Sequence, residues 1–200
     1  MRIVYLSDWK EKQDKVKLNY FNTFGDVVFY PYLDYLNERN LISFISNDIS
    51  NDIMNRNDIN IIVGNGMGAY IAFYVSNHIK IPSLLLNPSF FFKNGAELKS
   101  SYNNEQFLEK NIILSSKHDS IDTKRTFKYL ISLGYDNQIK IIDNLSTKIP
   151  QDFFETYFNE FYAKYKNYKL DFLKKPTKPT RRNKTSASVD DFWTATELRP

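Results

Sequence analysis

The sequence predicts an α/β protein, a three-layer sandwich in which a mostly parallel sheet of about six strands lies between two layers of helices. Short, continuous apolar runs rich in Ile, Val and Leu alternate with longer segments of helical periodicity. Strands that are apolar on both faces are typical of a parallel sheet covered by helices on each side. No internal repeat competes with this architecture, so residues 1–170 are predicted to form one domain.

The predicted strands are the apolar runs, each bounded by polar or turn-forming residues. They cover residues 2–6, 26–33, 59–64, 82–87, 111–116 and 138–143. The predicted helices are the intervening segments in which apolar residues recur every three or four positions. They cover residues 10–22, 40–55, 67–79, 122–134 and about 150–170. Pro150 suits the first turn of the last helix, and Gly134 suits the C-cap of the helix before it.

The last predicted helix carries five aromatic side chains at helical spacing, which indicates a face packed against the core. They are Phe153, Phe154, Tyr157, Phe158 and Phe161. Three further tyrosines face other directions and could contact a partner. They are Tyr162, Tyr165 and Tyr168.

Composition narrows the classes of function. The 200 residues include no cysteine, which excludes disulfides, thiolate catalysis and cysteine metal sites. Only His78 and His118 could supply imidazole, which argues against a multi-histidine metal centre. No apolar run reaches the roughly 18 residues of a spanning helix, and the first run is too short for a signal peptide. We therefore expect a soluble, cytoplasmic protein.

The third predicted strand leads into a helix through Gly64-Asn65-Gly66-Met67-Gly68. A strand that turns sharply into a helix is the layout of a nucleophile elbow, which places a Ser at its apex. In this chain the apex is Gly66. A dinucleotide-binding loop is the competing interpretation, but the third glycine falls one residue early and the next strand ends in Asn87 instead of an acidic residue.

The order of strands, the elbow and the Asn87-Pro88 pair resemble the small α/β-hydrolases of the YqiA-like esterase group. The resemblance covers about residues 1–163. In that group a motif close to G-x-S-x-G-G-x-x-A opens the helix, and this chain has Gly64-x-Gly66-x-Gly68-Ala69-x-x-Ala72. The resemblance implies that Gly64 and Gly68 stand where helix and strand approach too closely for a side chain.

The same resemblance implies catalytic features of which this chain lacks three. The apex is Gly66 instead of Ser, and the slot for the histidine base falls on Thr147. The first strand runs into Ser7-Asp8 instead of the His-Gly pair of an oxyanion hole, and only the acid slot is filled, by Asp119. Acyl transfer through a serine needs a hydroxyl, a base and a carboxylate that orients the base. The sequence therefore predicts a hydrolase fold without catalytic residues.

Two alternatives stay open at the carboxyl end of the sheet. Ser7, His118 and Asp119 could form a non-standard catalytic arrangement in a small esterase or thioesterase. Asp8, Asp119 and Asp122 could gather around a divalent cation, although carboxylates are common there for turn and capping reasons. We expect neither a metal nor a cofactor.

The last 37 residues differ from the rest of the chain, with ten basic and four acidic residues. Residues 171–188 read as a basic, flexible linker, and residues 189–200 as a docking peptide with aromatic side chains. The candidate partner-binding residues are Phe192, Trp193 and Leu198, which are costly to leave in water. The basic residues that could contact an acidic surface are Lys174, Lys175, Lys178, Arg181, Arg182 and Lys184.

These observations predict a catalytically inactive α/β-hydrolase-fold protein that acts as a binding or structural component through its C-terminal tail. The expected partner is a protein or a second copy of the chain; non-specific nucleic acid is less favoured, and no membrane is expected. The tail could instead fold back on its own domain or be an inert end. An abundance of Asn, Lys and Ile is typical of an AT-rich genome and permits a place in a large assembly such as a virion.

Overall fold

The predicted parallel sheet is confirmed by a computed structural model. It describes residues 2–8, 15–30, 41–56, 58–88, 90, 107, 109–115, 121–142 and 149–168. The strands are β1 (Arg2–Leu6), β2 (Asp26–Tyr30), β3 (Ile59–Asn65), β4 (Ser83–Leu86), β5 (Lys110–Ser115) and β6 (Ile139–Ile142). Their order across the sheet is β2-β1-β3-β4-β5-β6, and every neighbouring pair is parallel.

Five helices lie within the described residues. They are α1 (Lys15–Asn22), α2 (Leu41–Arg56), α3 (Met67–Ile79), α4 (Ile121–Ser132) and α5 (Gln151–Tyr165). A short 3-10 turn at Asp136–Gln138 precedes β6. Beyond α4, Gly134 takes a φ of 80°, the left-handed conformation that glycine adopts at little cost.

The central strands of the sheet are buried on both faces because their side chains alternate between two apolar clusters. Val4 and Leu6 of β1 belong to the cluster formed with α2, α3 and α4. Ile3 and Tyr5 of the same strand belong to the cluster formed with α1 and α5. This alternation explains why the strands read as continuous apolar runs in the sequence.

The connections leave β1 and β3 in opposite directions. The chain passes from β1 to β2 towards one edge of the sheet, and from β3 to β4 towards the opposite edge. The carboxyl ends of two such strands open a crevice, the usual place for a site in a parallel sheet. Leu6 of β1 pairs with Gly64 of β3, so Asp8 and Gly66, each two residues further on, meet at this crevice.

The aromatic face predicted for α5 is only partly correct. Phe154, Phe158 and Phe161 are buried, but Phe153 is 40% exposed. Tyr165 is buried too, and Tyr162 and Tyr168 are half-buried against the same cluster, so these tyrosines are not a free surface. The buried stripe follows positions 154, 158, 161 and 165, which leaves Phe153 at its margin.

Helix α1 lies within the predicted range 10–22, and few of its side chains are buried. The helix begins at Lys15, and its buried side chains are Lys17 and Phe21, four residues apart. Val16, although apolar, is 60% exposed. The Lys17 amine instead lies 5.6 Å from the centre of the Phe154 ring, so the long side chain covers an aromatic layer.

No helix among the described residues is both long enough and apolar enough to cross a membrane.

Neighbouring phenylalanines of α5 provide a test of the packing. Phe154 stands edge-on to Phe21, with ring centres 5.2 Å apart, and its side chain has no exposure. We expect Phe154→Ala to lower the free energy of unfolding by about 3–5 kcal/mol, because it leaves a cavity in the core. Phe153→Ala is the matched control and is expected to cost less than about 1 kcal/mol. Urea unfolding followed by circular dichroism measures both; equal losses would contradict this helix orientation.

Candidate functional site

The apex of the elbow adopts a conformation suited to glycine. Gly66 lies between β3 and α3 with φ 55° and ψ −116°, a combination that costs a residue with a side chain free energy. Its N–H donates to the carbonyl of Leu86 at 2.9 Å, and its own carbonyl accepts from the N–H of Tyr70 at 3.2 Å. The turn is therefore as sharp as a nucleophile elbow requires, with no side chain at its apex.

The glycines on either side of the apex allow α3 to pack directly against the sheet. A Cβ atom on Gly68 would lie 2.5 Å from the carbonyl oxygen of Ser7, at the end of β1. A Cβ atom on Gly64 would lie 2.5 Å from the Cα of Ala69 in α3. Neither backbone could give way easily, so any larger residue at these positions would push the helix off the strands.

The space above Gly66 is filled by the side chain of Asp8. A Cβ atom built on Gly66 would lie 2.5 Å from Asp8 Oδ1 and 2.6 Å from Oδ2. The same Oδ1 accepts a hydrogen bond from the backbone N–H of Met67 at 3.2 Å. The carboxylate therefore stands where the apex side chain of an elbow would stand, delivered from β1 instead of from the apex itself.

The Met67 amide is the electrostatic centre of this arrangement. It is the first amide of α3, and the amino end of a helix favours a negative charge. Gly66 has no side chain with which to cap the helix, so Asp8 supplies the cap from a different strand. In nucleophile-elbow enzymes the N–H after the nucleophile is a donor of the oxyanion hole. Asp8 thus engages the group that would otherwise stabilise a substrate oxyanion.

Ser7 does not provide an accessible nucleophile. Its residue is 2% exposed, and its hydroxyl has no hydrogen-bond partner within the described parts of the chain. The residues that would complete the alternative catalytic arrangement, His118 and Asp119, lie outside the described residues, as does Thr147. The structure consequently brings together two of the residues singled out from the sequence, Asp8 and Gly66.

The remaining sequence-derived candidates are not placed by the structure. The side chain of Asp122 and all of the predicted linker and docking peptide, residues 171–200, lie outside what is described. Within the described residues, no group of three His, Cys, Asp or Glu side chains is arranged to hold a metal ion.

The role of Asp8 is the part of the site that the sequence interpretation missed. It treated this residue as a replacement in the oxyanion loop and as a possible metal ligand, not as an occupant of the elbow. The sequence held one indication of this role. Leu6 and Gly64 are paired, and Asp8 and Gly66 each follow their member of that pair by two residues. That signal becomes visible only once the two strands are known to be neighbours in this register.

Comparison with known proteins identifies the family. Residues 15–143, more than half of the chain, match the model of the uncharacterised protein family UPF0227, and the protein belongs to that family. The resemblance to YqiA-like esterases that was seen in the elbow is thereby confirmed. No curated protein matches the sequence.

Several solved structures share the fold. An esterase from Pyrococcus furiosus superimposes with a TM-score of 0.55 at 12% identity, covering 82% of this chain and 80% of that chain. A putative hydrolase of the α/β superfamily from Xanthomonas campestris gives 0.51 at 13% identity, covering 72% and 86%. An uncharacterized protein from Bacillus cereus gives 0.58 at 14% identity, covering 81% and 58%. At such identities the likeness establishes an α/β-hydrolase fold.

The overlap between residue 66 and Asp8 can be measured by a double-mutant cycle. Gly66→Ala should destabilise the protein, because its Cβ meets the Asp8 carboxylate and because the positive φ strains alanine. Asp8→Ala alone should cost about 1 kcal/mol, the usual value of a lost helix cap. In the Asp8→Ala background, Gly66→Ala should cost about 0.5–3 kcal/mol less than in the native chain. Urea unfolding of the four proteins gives the coupling.

Asp152→Ala serves as the control for that cycle. Asp152 is exposed on the first turn of α5, and its effect should add to that of Gly66→Ala within about 0.5 kcal/mol. If the effects of Asp8→Ala and Gly66→Ala on the free energy of unfolding also added within this limit, the carboxylate would not occupy the space above the apex.

Proposed function

We propose that this member of UPF0227 is a catalytically inactive α/β-hydrolase-fold protein that serves as a protein-binding component through its C-terminal tail. The observation that carries the loss of catalysis is the Asp8 carboxylate, which fills the space above Gly66 and binds the Met67 amide. The family and the fold set the expectation of an ester hydrolase, and the elbow is where this chain departs from it.

Loss of the nucleophile is the first chemical reason. Gly66 offers no atom that could attack an acyl carbon, and acyl transfer by a serine hydrolase begins with that attack. Serine hydrolases that have lost a triad member still accelerate the reaction by about 1000- to 10,000-fold over water. This remaining acceleration depends on the oxyanion hole and on substrate binding.

Occupation of the oxyanion donor is the second reason. Removing one donor of an oxyanion hole lowers kcat by about 100- to 1000-fold. Here the Met67 N–H is present but faces Asp8 at 3.2 Å, and the negative carboxylate repels an oxyanion developing beside it. Asp8 is for the same reason a poor substitute nucleophile, because its attack would create an oxyanion with no free donor at Met67. Catalysis that relies on the oxyanion hole and substrate binding alone is therefore blocked as well.

A small esterase with a non-standard catalytic arrangement is the competing proposal. It relies on Ser7 as the nucleophile, and the burial of Ser7 speaks against it. Activity that depends on His118 and Asp119 would favour this alternative, so the assay below separates the two.

The binding role rests on the organisation of the chain. The six strands and five helices of the described residues lie between Arg2 and Tyr165, and residues 1–170 form one compact unit. Phe192, Trp193 and Leu198 belong to the segment outside this unit, and large aromatic groups are costly to leave in water. We propose that these residues bind a protein partner or a second copy of the chain, with a large assembly such as a virion as one setting.

Ester hydrolysis should be gained only when the missing catalytic features are introduced together. The native protein should not hydrolyse short acyl esters above a heat-treated control. Gly66→Ser alone should not change this, because Asp8 still fills the apex and the slot for the histidine base holds Thr147. The triple change Asp8→Ala, Gly66→Ser and Thr147→His supplies space, nucleophile and base, and is the variant in which measurable turnover is expected. Release of p-nitrophenol from the acetate ester measures each step.

The matched control for the triple variant keeps Asp8. Gly66→Ser with Thr147→His should remain at least about tenfold less active than the triple variant, because the carboxylate still engages the oxyanion donor. Robust hydrolysis by the native protein that disappeared in Asp119→Ala or His118→Ala would overturn the proposed loss of catalysis.

Removal of residues 186–200 should separate folding from attachment. We expect the shortened protein to keep the unfolding midpoint of the full chain, since the compact unit ends at residue 170, and to lose its partner in affinity capture from the native source. Trp193→Ala should weaken capture more than Arg181→Ala with Arg182→Ala, because a buried aromatic contributes about 1.5–3 kcal/mol and an exposed charge well under about 1 kcal/mol.

Capture by the shortened protein of the same partners as the full chain would contradict the attachment role. An interaction that disappears in high salt and with the two arginines, but survives Trp193→Ala, would place the contact in the basic linker instead.

A further inference from the structure

The amino edge of the sheet, opposite the elbow, contains a lysine that plays no part in the site described above. Lys110 is the first residue of β5, and it is 1% exposed. Ser83, the first residue of β4, and Ser76, near the end of α3, are fully buried beside it. We call the contact region of α3, β4 and β5 around these three residues the seam.

One hydroxyl group joins the three elements of the seam. Lys110 Nζ donates to Ser76 Oγ at 2.8 Å, and Ser83 Oγ donates to the same oxygen at 3.1 Å. The Ser76 hydroxyl in turn donates to the carbonyl of Phe73 at 3.0 Å. Its donor and its acceptor capacity are both used, so the serine pair is satisfied even if the lysine contact is lost.

Three aromatic rings also lie near the Lys110 amine. The Nζ atom lies 5.0 Å from the ring centre of Phe107, 5.6 Å from that of Phe73 and 5.9 Å from that of Tyr135. No ion pair to Lys110 occurs within the described residues. The neighbouring Glu109 carboxylate instead accepts the hydroxyl hydrogen of Tyr165 at 2.5 Å.

Such surroundings suit a neutral amine better than a charged one. An ammonium group has three hydrogens to donate, and Ser76 accepts one of them. Burial, reinforced by the positive charge of Lys80 and opposed by Glu109, holds the pKa of Lys110 well below its ordinary value. The rings offer some cation–π attraction, but they replace water around a charge that has no ion-pair partner among the residues that the structure describes.

We propose that Lys110 is a proton-operated latch: the seam is closed while the amine is neutral and opens locally when the amine takes up a proton. This device is independent of the proposed function of the elbow and tail. It makes the association of α3 with the amino ends of β4 and β5 respond to pH.

The direction of the pH dependence follows from proton linkage. In the open seam the amine is hydrated and has the ordinary lysine pKa of about 10.4, whereas in the closed seam its pKa is lower. The open state therefore binds the extra proton between these two values. Each unit of decrease in pH within that window multiplies the ratio of open to closed seam by about ten, and the dependence ends below the closed-state pKa.

Other titratable groups face the same seam and must be separated from Lys110. Burial raises the pKa of Tyr135 and of Tyr165, so both hydroxyls stay protonated near neutral pH. Glu109 and Lys80 carry the nearby charges, and His78 is exposed on the last turn of α3. Comparison with a variant that lacks only the amine removes the contribution of these groups.

The test is NMR on the full chain between pH 6 and 9. We expect the side-chain Nζ and Cε signals of Lys110 to report a neutral amine over at least part of this range. Over the part of the range in which the amine is neutral, protection factors corrected for the intrinsic pH dependence of exchange should fall about tenfold per pH unit of acidification for two seam amides. These are Ser83, bonded to the carbonyl of Glu109, and Phe107, bonded to Asn77.

Lys110→Met should remove this slope, because it keeps the length of the side chain without the amine, and Ser76 keeps its bond from Ser83. Lys128→Met, a change of an exposed lysine on α4, is the matched control and should retain the slope.

Three results would overturn the latch. Lys110 could stay charged throughout the range, the slope could persist in Lys110→Met, or amides of β1 and β2 could show the same slope as the seam. If Lys110→Met did not fold, the Lys110 signals and the native protection factors would still decide.

Discussion

The hydrogen bond between the Asp8 carboxylate and the Met67 amide joins the two strand ends at the crevice of the sheet. It caps α3, whose own N-cap residue has no side chain, and it places a negative charge at the amino end of that helix. The same carboxylate occupies the volume above Gly66. One contact thus stabilises α3, which supplies more side chains than α2 or α4 to one of the two apolar clusters, and fills the space in which an apex side chain would stand.

The contact exists because of constraints at two levels. Because Leu6 pairs with Gly64 in parallel register, the residues that follow β1 and β3 lie side by side at the carboxyl edge of the sheet. Gly64 and Gly68 then allow α3 to approach so closely that its first amide lies within reach of Asp8. A serine at the apex would overlap the carboxylate. Asp8 and Gly66 are therefore a matched pair, and a side chain at the apex fits only if Asp8 is changed as well.

Local sequence patterns predicted the fold well, because buried parallel strands and amphipathic helices leave periodic apolar signals. The elbow was predictable too, since three glycines separate a buried strand from a helix. The sequence did not predict which residues lie at the edge of a buried helix face, nor which residues from distant parts of the chain come into contact. Phe153 and Val16 belong to apolar patterns but lie at the margins of their buried stripes. The position of Asp8 over Gly66 depends on which strands are neighbours and in what register, and the burial of Lys110 depends on three elements meeting.

The most direct measurement is the pH dependence of the Met67 amide signal in NMR, recorded for the native protein and for Asp8→Asn. If the Asp8 carboxylate accepts the Met67 hydrogen, that amide proton should shift upfield as the carboxyl group is protonated, with the midpoint shown by the Asp8 carboxyl carbon itself. The shift should vanish in Asp8→Asn, which lacks the titrating group. A Met67 signal that is insensitive to the protonation of Asp8, or that titrates unchanged in Asp8→Asn, would contradict the claim that Asp8 occupies the elbow.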